Sequence, residues 1–342
     1  MKRVTSILLC VMLVAALLPL GVSAAVKYNA GDVAVINNII TKNGLKGFQK
    51  NKPATWKFAK WNNGRVISLD LAKKALKGDL NLFGLAALQS LNCTDNKLTS
   101  LNLEGLKKLK TLNYSRNPLN KLVFPDRRTL HILTPAGGTV TIENDPKVAV
   151  SKKQVKLTYR ANKGRSFESW SLIGNAKIIG GSVEETQITL TLPSTKYAPF
   201  NTIVRPVDDT GKYSYKVGTF TLPIEKDDEL GRNTNSLLCV YKKSGLTLIE
   251  GIADESTVLT SQIFFGDDGV VDVPKQRKEV EALLKQSISS KLVNTIMTYC
   301  AKKKNDLQDL KYKSWDEGRY HILVGGGDGP INIRLPRELG LE

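Results

Sequence analysis

Leucines recur at a fixed step through the first third of the chain. Leu88, Leu91, Leu98, Leu101 and Leu103 are echoed by Leu109, Leu112, Leu119, Leu122 and Phe124, each 21 residues further on. Asn96 and Asn117 keep the same step, as do Cys93 and Tyr114. An imperfect earlier copy ends in Leu80, Leu82, Gly84 and Leu85, which match Leu101, Leu103, Gly105 and Leu106. One such unit cannot bury its apolar face alone, so stacked copies share a core. Upstream, Asp32 precedes Val33, Ile36, Ile39 and Ile40, and Gly44 follows. That spacing predicts an amphipathic helix capped by Asp32 and stopped by the glycine. Trp56–Trp61 and Arg65–Leu69 flank Asn62-Asn63-Gly64, which predicts a β-hairpin. After Phe124 the repeat fades through Leu130 and Leu133 and ends at Pro135.

The period then changes from repeats to simple alternation. Thr139–Ile142, Gln154–Tyr159, Gln187–Leu192 and Lys216–Leu222 alternate apolar and polar residues between turn signals, the pattern of half-buried strands. A charged, Asn-rich stretch over 226–236 reads as a linker. Beyond it, Thr247–Ile249 and Gln262–Phe265 predict strands, and Pro274 opens a helix with Val280, Leu283, Leu284 and Ile288 on one face. Leu292–Cys300 fits a helix by spacing and a strand by its β-branched content; the strand is preferred. Arg319–Val324 and Ile331–Leu335, joined by Gly325–Gly329, predict a hairpin.

Two stretches carry resemblances. Leu88–Leu103 and Leu109–Phe124 fit L-x-x-L-x-L/C-x-x-N-x-L, so the segment resembles the leucine-rich repeat family. Gly137-Gly138-Thr139-Val140, Val155–Thr158, Gly164–Trp170 with its G-x-x-F-x-x-W spacing, and Thr189–Pro193 resemble the bacterial B-repeat module. Thr202–Pro206 departs from that module's usual ending. Together they resemble secreted bacterial proteins of internalin-like architecture. The resemblance implies a short, strand-lined horseshoe of repeats (66–135) followed by a small β-rich B-repeat-like domain (136–225); the residue patterns add a helix-plus-hairpin N-terminal cap (25–65) and, after the linker, an α+β domain of unassigned role (237–342). Within the β-rich domain (136–225), Phe167 and Trp170 read as core anchors.

Charge and chemistry narrow the function. Lys and Arg number 50 against 32 Asp and Glu, a formal net charge of +18. Lys2-Arg3, the apolar run Ile7–Leu20 and Val22-Ser23-Ala24 read as a secretory signal peptide, residues 1–24, with no membrane span after cleavage. For a secreted chain the natural counter-surface is anionic, such as a cell-wall polymer. Basic residues form no stripe interleaved with stacking aromatics, which argues against nucleic acid. Cys93, Cys239 and Cys300 remain after cleavage, too odd a number for a disulfide framework; a pair between Cys239 and Cys300 stays open. His131 and His321 are the two histidines, and no motif joins either to a cysteine. Gly325–Gly329 precedes Pro330 and a strand, so it reads as a turn and not a phosphate cradle. The acidic pairs lack calcium-loop spacing. No cofactor, metal or catalytic group is expected.

Strand alternation instead offers a binding face. Between inward leucines lie Ser68 and Asp70, then Ser90, Asn92, Thr94 and Asp95, then Thr111, Asn113, Ser115 and Arg116. These side chains are small and polar, suited to a protein loop or a short surface glycan. The expected function is non-catalytic binding, for instance in adhesion. The alternatives are a basic wall-associated spacer without a dedicated ligand and an enzyme housed in residues 237–342.

Overall fold

The computed structural model describes residues 27–192, 201–217, 220–231, 236–251, 259–265, 271–318 and 320–335. The predicted signal peptide and residues 232–235 of the predicted linker lie outside them. Helix α1 (Ala30–Asn43) ends at Gly44, whose left-handed φ of 57° lets its N–H reach back to Ile40 and Thr41. Its cap is Asn29, whose side chain accepts from the Asp32 N–H at 3.0 Å. Asp32 is therefore not the cap. Its carboxylate is fully buried, accepting from Arg65 Nε at 3.0 Å, Arg65 Nη2 at 2.9 Å and the Val66 N–H at 2.8 Å. Strands β1 (Ala59–Asn62) and β2 (Arg65–Asp70) form the expected hairpin. Asn63 and Gly64 both take positive φ, 47° and 72°, as a tight turn of this kind requires.

The next five strands, β3 (Lys77–Asn81), β4 (Ser90–Asn92), β5 (Lys97–Asn102), β6 (Thr111–Asn113) and β7 (Lys121–Val123), alternate between two parallel sheets. β4 and β6 extend β2, aligning Leu69, Leu91 and Leu112. β5 and β7 extend β3, aligning Leu80, Leu101 and Leu122. All six leucines are buried in one core. Asn96 and Asn117 hold the turns between sheets. The Asn96 amide donates to the carbonyls of Leu71, Cys93 and Thr94, and its oxygen accepts from the N–H groups of Lys74 and Leu76.

β8 (Thr129–Ile132) turns back antiparallel to β7. Nine strands follow: β9 (Thr134–Pro135), β10 (Gly138–Glu143), β11 (Gln154–Ala161), β12 (Phe167–Ile173), β13 (Lys177–Gly180), β14 (Gln187–Thr191), β15 (Asn201–Asp208), β16 (Lys212–Val217) and β17 (Phe220–Glu225). β15 adds in parallel to β8, giving one sheet in the order β12-β15-β8-β7-β5-β3. β10, β11, β14 and β13 form a second sheet, and β17, β16 and β9 a third. Trp170 is 3% exposed and donates from Nε1 to the Glu185 carbonyl at 2.8 Å, with Phe167 at 5.2 Å between ring centres. Both pack in or against the core that holds the leucines.

The remainder is β18 (Glu229–Gly231), β19 (Ser236–Tyr241), β20 (Thr247–Gly251), β21 (Leu259–Ile263), helices α2 (Val273–Leu284) and α3 (Ser290–Cys300), then β22 (Leu310–Glu317), β23 (Tyr320–Gly326) and β24 (Ile331–Leu335). Its seven strands are antiparallel in the order β18-β19-β20-β21-β24-β23-β22. Both helices bury apolar residues in a second core shared with this sheet and with β16 and β17. Lys303, just after α3, is fully buried; its ammonium donates to the carbonyls of Asp306, Gln308 and Gly327.

This architecture corrects the expected fold class. A strand-lined leucine-rich repeat horseshoe with a helical N-terminal cap is not what forms. The described residues are mostly β, in five sheets with three α-helices. The reason lies in the return segment of each repeat. In β5, Leu98 and Leu101 point inward while Ser100 and Asn102 are only partly buried, so this half is a strand as well. The leucines thus lie between two parallel sheets, and β12 and β15 join one of those sheets directly. A second correction concerns Leu292–Cys300, which is helical. Val293, Ile296, Met297 and Cys300 share the buried face, and Ser289 caps it by accepting from the Leu292 N–H. Helical spacing and the cap outweigh β-branched propensity. Cys93, Cys239 and Cys300 stand as buried thiols and not as a disulfide.

Candidate functional site

Strand registers decide which polar side chains meet. On the β2-β4-β6 sheet, Ser68, Ser90 and Thr111 form one cross-strand row, and Asp70, Asn92 and Asn113 another. Much of this face is engaged with itself. Asn92 donates to Asp70 Oδ1 at 3.1 Å and accepts from the Thr94 hydroxyl at 3.0 Å. Thr94 is 7% exposed, so it is not a surface residue. Asn113 accepts from the Ser115 N–H. Asp95 and Arg116 sit outside the rows, in left-handed turns with φ of 55° and 56°, and pair with each other. That pairing pulls the Asp95 carboxyl below its usual range and raises Arg116.

The other parallel sheet carries a second outward row that the sequence reading missed. Asp79 aligns with Ser100, Ser100 with Lys121, and Lys121 with His131. Beside it, Asn102 donates to Asn81 Oδ1 at 3.1 Å. The row starts at an exposed edge and ends under β16, where His131 is 1% exposed. Where it passes beneath Tyr215 and Lys216 there is a cavity of about 220 Å³. Its wall includes Asp79, Asn81, Ser100, Asn102, Lys121 and His131.

Behind that wall runs a buried polar chain drawn from three distant parts of the sequence. The Tyr215 hydroxyl donates to Glu250 Oε2 at 2.7 Å and contacts His131 Nδ1 at 2.8 Å. A phenol has one hydrogen, and a carboxylate can only accept. With that hydrogen given to Glu250, the hydroxyl oxygen accepts from Nδ1–H, which fixes the tautomer and leaves Nε2 as an acceptor. Nε2 is buried and meets no hydrogen-bond partner among the described residues. Burial, reinforced by the Lys121 ammonium, holds the His131 pKa well below its usual value, so the ring is neutral.

That depressed pKa sets a pH dependence. The unfolded chain takes up a proton near pH ~6.5 while the folded chain does not, so stability falls as pH drops below that point, by up to about 1.4 kcal/mol per unit. The loss continues until the folded-state pKa is reached. Urea unfolding at pH 7.5 and 5.5 is expected to show this slope, and His131→Asn is expected to remove its share. Equal slopes for the two proteins would contradict the assignment.

The remaining candidate chemistry separates in the structure. His321 lies on β23, partly exposed, with Nδ1 2.6 Å from Asp316 Oδ1. Burial pushes the Cys300 thiol up to about 11 and Cys93 up to about 12, the opposite of an activated nucleophile. β23 runs on through Gly325 and Gly326, so the turn into β24 spans Gly327–Pro330 and is shorter than the expected Gly325–Gly329 turn. No group of three metal-ligating side chains occurs among the described residues. A sequence signal for the second row did exist, because Asp79, Ser100 and Lys121 sit at the repeat step. Tyr215 and Glu250 gave none. No family model, curated protein or solved structure matches the chain.

Proposed function

We propose that this is a secreted, non-catalytic binding protein that recognises a surface glycan or a protein, in the manner of an adhesion component. The observation that carries the reading is the pair of outward, in-register rows of polar side chains on parallel strands, Ser68–Ser90–Thr111 and Asp79–Ser100–Lys121. Repeated rows of this kind present hydrogen-bonding groups at a regular ~4.8 Å interval, suited to a ligand that itself repeats. The signal-like start, Lys2-Arg3 followed by the apolar run Ile7–Leu20, supports the location. No described helix is long and apolar enough to cross a membrane.

A basic spacer is the competing reading, favoured by the number of row side chains already bonded to one another on the first sheet. Salt separates the two. The purified protein is expected to retain one ligand class from an array of wall polymers, host glycans and matrix proteins at ~0.15 M salt, where exposed charge attraction is screened beyond about 8 Å. Loss of that signal in Asn92→Ala with Asn113→Ala would place the ligand on the first sheet; loss in Ser100→Trp would place it on the second. Weak binding to every anionic surface, all of it gone at that salt, would overturn the proposal in favour of the spacer.

A further inference from the structure

The row that ends at His131 differs from the rest of the polar surface in lining a half-open cavity, and its lining is chemically selective. Resting on the binding reading above, we infer that the cavity between the β3-β5-β7-β8 face and β16 is a subsite for one acidic sugar residue, a pyranose carrying a carboxylate, within a polysaccharide chain.

Size sets the first limit. At about 220 Å³ the cavity is smaller than the ~300–1,000 Å³ that encloses drug-sized ligands, so it takes a single ring and not an oligomer. The open end of the row, at Asp79 on the sheet's outermost strand, leaves neighbouring residues of the polymer outside. Wall chemistry sets the second limit. The Ser100 hydroxyl and the Asn102 amide are the partners that ring hydroxyls use. Tyr215 is the one aromatic residue of the wall, and its hydroxyl is committed to Glu250 and His131. Among the described residues the wall therefore lacks the exposed aromatic anchors on which a protein partner would rely.

Charge sets the third. Lys121 and Lys216 bring two ammonium groups to the wall against the single carboxylate of Asp79. Lys216 is exposed and Lys121 partly exposed. The chain's +18 net charge draws anionic polymers to the surface from a distance. His131 lies at the inner end of the same wall, 1% exposed and neutral, so its ring reports on the cavity from behind the lining.

The test uses the full purified protein and three probes: a tetragalacturonate, a hyaluronate tetrasaccharide and sialyllactose, each also as its carboxyl methyl ester. The chain has only two histidines, so imidazole ¹⁵N spectra read the site without ambiguity. At least one acid is expected to bind at ~0.15 M salt and to move the His131 resonances while those of His321 stay still. Its methyl ester and Lys121→Gln are each expected to weaken binding about tenfold or more, the scale of one lost charge-assisted hydrogen bond. Ser100→Trp, an outward substitution that fills the cavity, is expected to abolish binding while urea unfolding shows the stability of the parent protein.

Equal affinity for acid and ester would overturn the acidic subsite and leave the binding reading intact. So would binding that leaves His131 unmoved. Silence from all three acids, alongside a neutral glycan or a protein captured on the array, would overturn the inference alone. Silence from every probe and from the array would overturn both.

Discussion

Asn96→Ala is expected to cost about 3–5 kcal/mol of folding stability, since each buried polar group left without a partner costs about 1–3 kcal/mol. Asn96 is 7% exposed and its carboxamide bonds both its own turn and the Leu71–Leu76 segment. It donates to Leu71 O at 2.8 Å, Cys93 O at 2.9 Å and Thr94 O at 3.1 Å, and it accepts from Lys74 N at 3.1 Å and Leu76 N at 2.9 Å. Alanine deletes all five contacts at once in a place water does not reach. Relaxation of the chain recovers some of them, which is why the sum of the separate penalties is not expected. Urea unfolding measures the loss. Asn102→Ala, on the partly exposed outer face, is the control and is expected to cost less than about 1 kcal/mol. Equal losses for the two would show that the asparagine turns do not organise the stack.

Lys303→Met is expected to have the largest effect in the C-terminal part, about 3–4 kcal/mol, by removing a buried charge-assisted donor from its acceptors. The ammonium has three hydrogens, and three carbonyls take them: Asp306 O at 3.1 Å, Gly327 O at 2.7 Å and Gln308 O. Methionine keeps the stem and its packing, so the loss isolates the head group. These carbonyls lie on the segment before β22 and on the turn from β23 to β24. Hydrogen exchange is therefore expected to quicken at both places together. A loss confined to overall stability, with both segments equally protected, would argue that Lys303 does not tie them.

The leucine step was legible because it is a packing requirement repeated in sequence. Leu69, Leu91 and Leu112 stand in register as their spacing implied. Their shared sheet was legible too, whereas its partner was not. Lys97–Asn102 has inward Leu98 and Leu101 separated by two polar residues, a pattern that fits a connecting loop as well as a strand. What made it a strand is pairing with β3 and β7, a fact of neighbours and not of local propensity. Asp32 misled for a related reason. An acid before an apolar helical stripe reads as a cap, but Arg65 and Val66, over thirty residues away, claim its oxygens. In the candidate cavity, Asp79, Ser100 and Lys121 were readable as a periodic set. His131 owes its burial to Tyr215 and its hydrogen-bonded state to Tyr215 and Glu250, which arrive from other sheets. No local pattern encodes such a meeting.

The parallel join between β8 and β15 has a consequence for the order in which the chain is made. β8 is synthesised long before Asn201–Val204, the segment that pairs with it. At ~5–20 residues per second, the intervening stretch of roughly seventy residues takes on the order of several seconds to emerge. Throughout that interval the leucine stack can close on one side only, and one flank of β8 faces its surroundings with unused backbone donors and acceptors. A nascent chain in this state is a template for any extended segment that passes. Efficient production should therefore favour completion of residues up to Asp208 before the stack is released to fold.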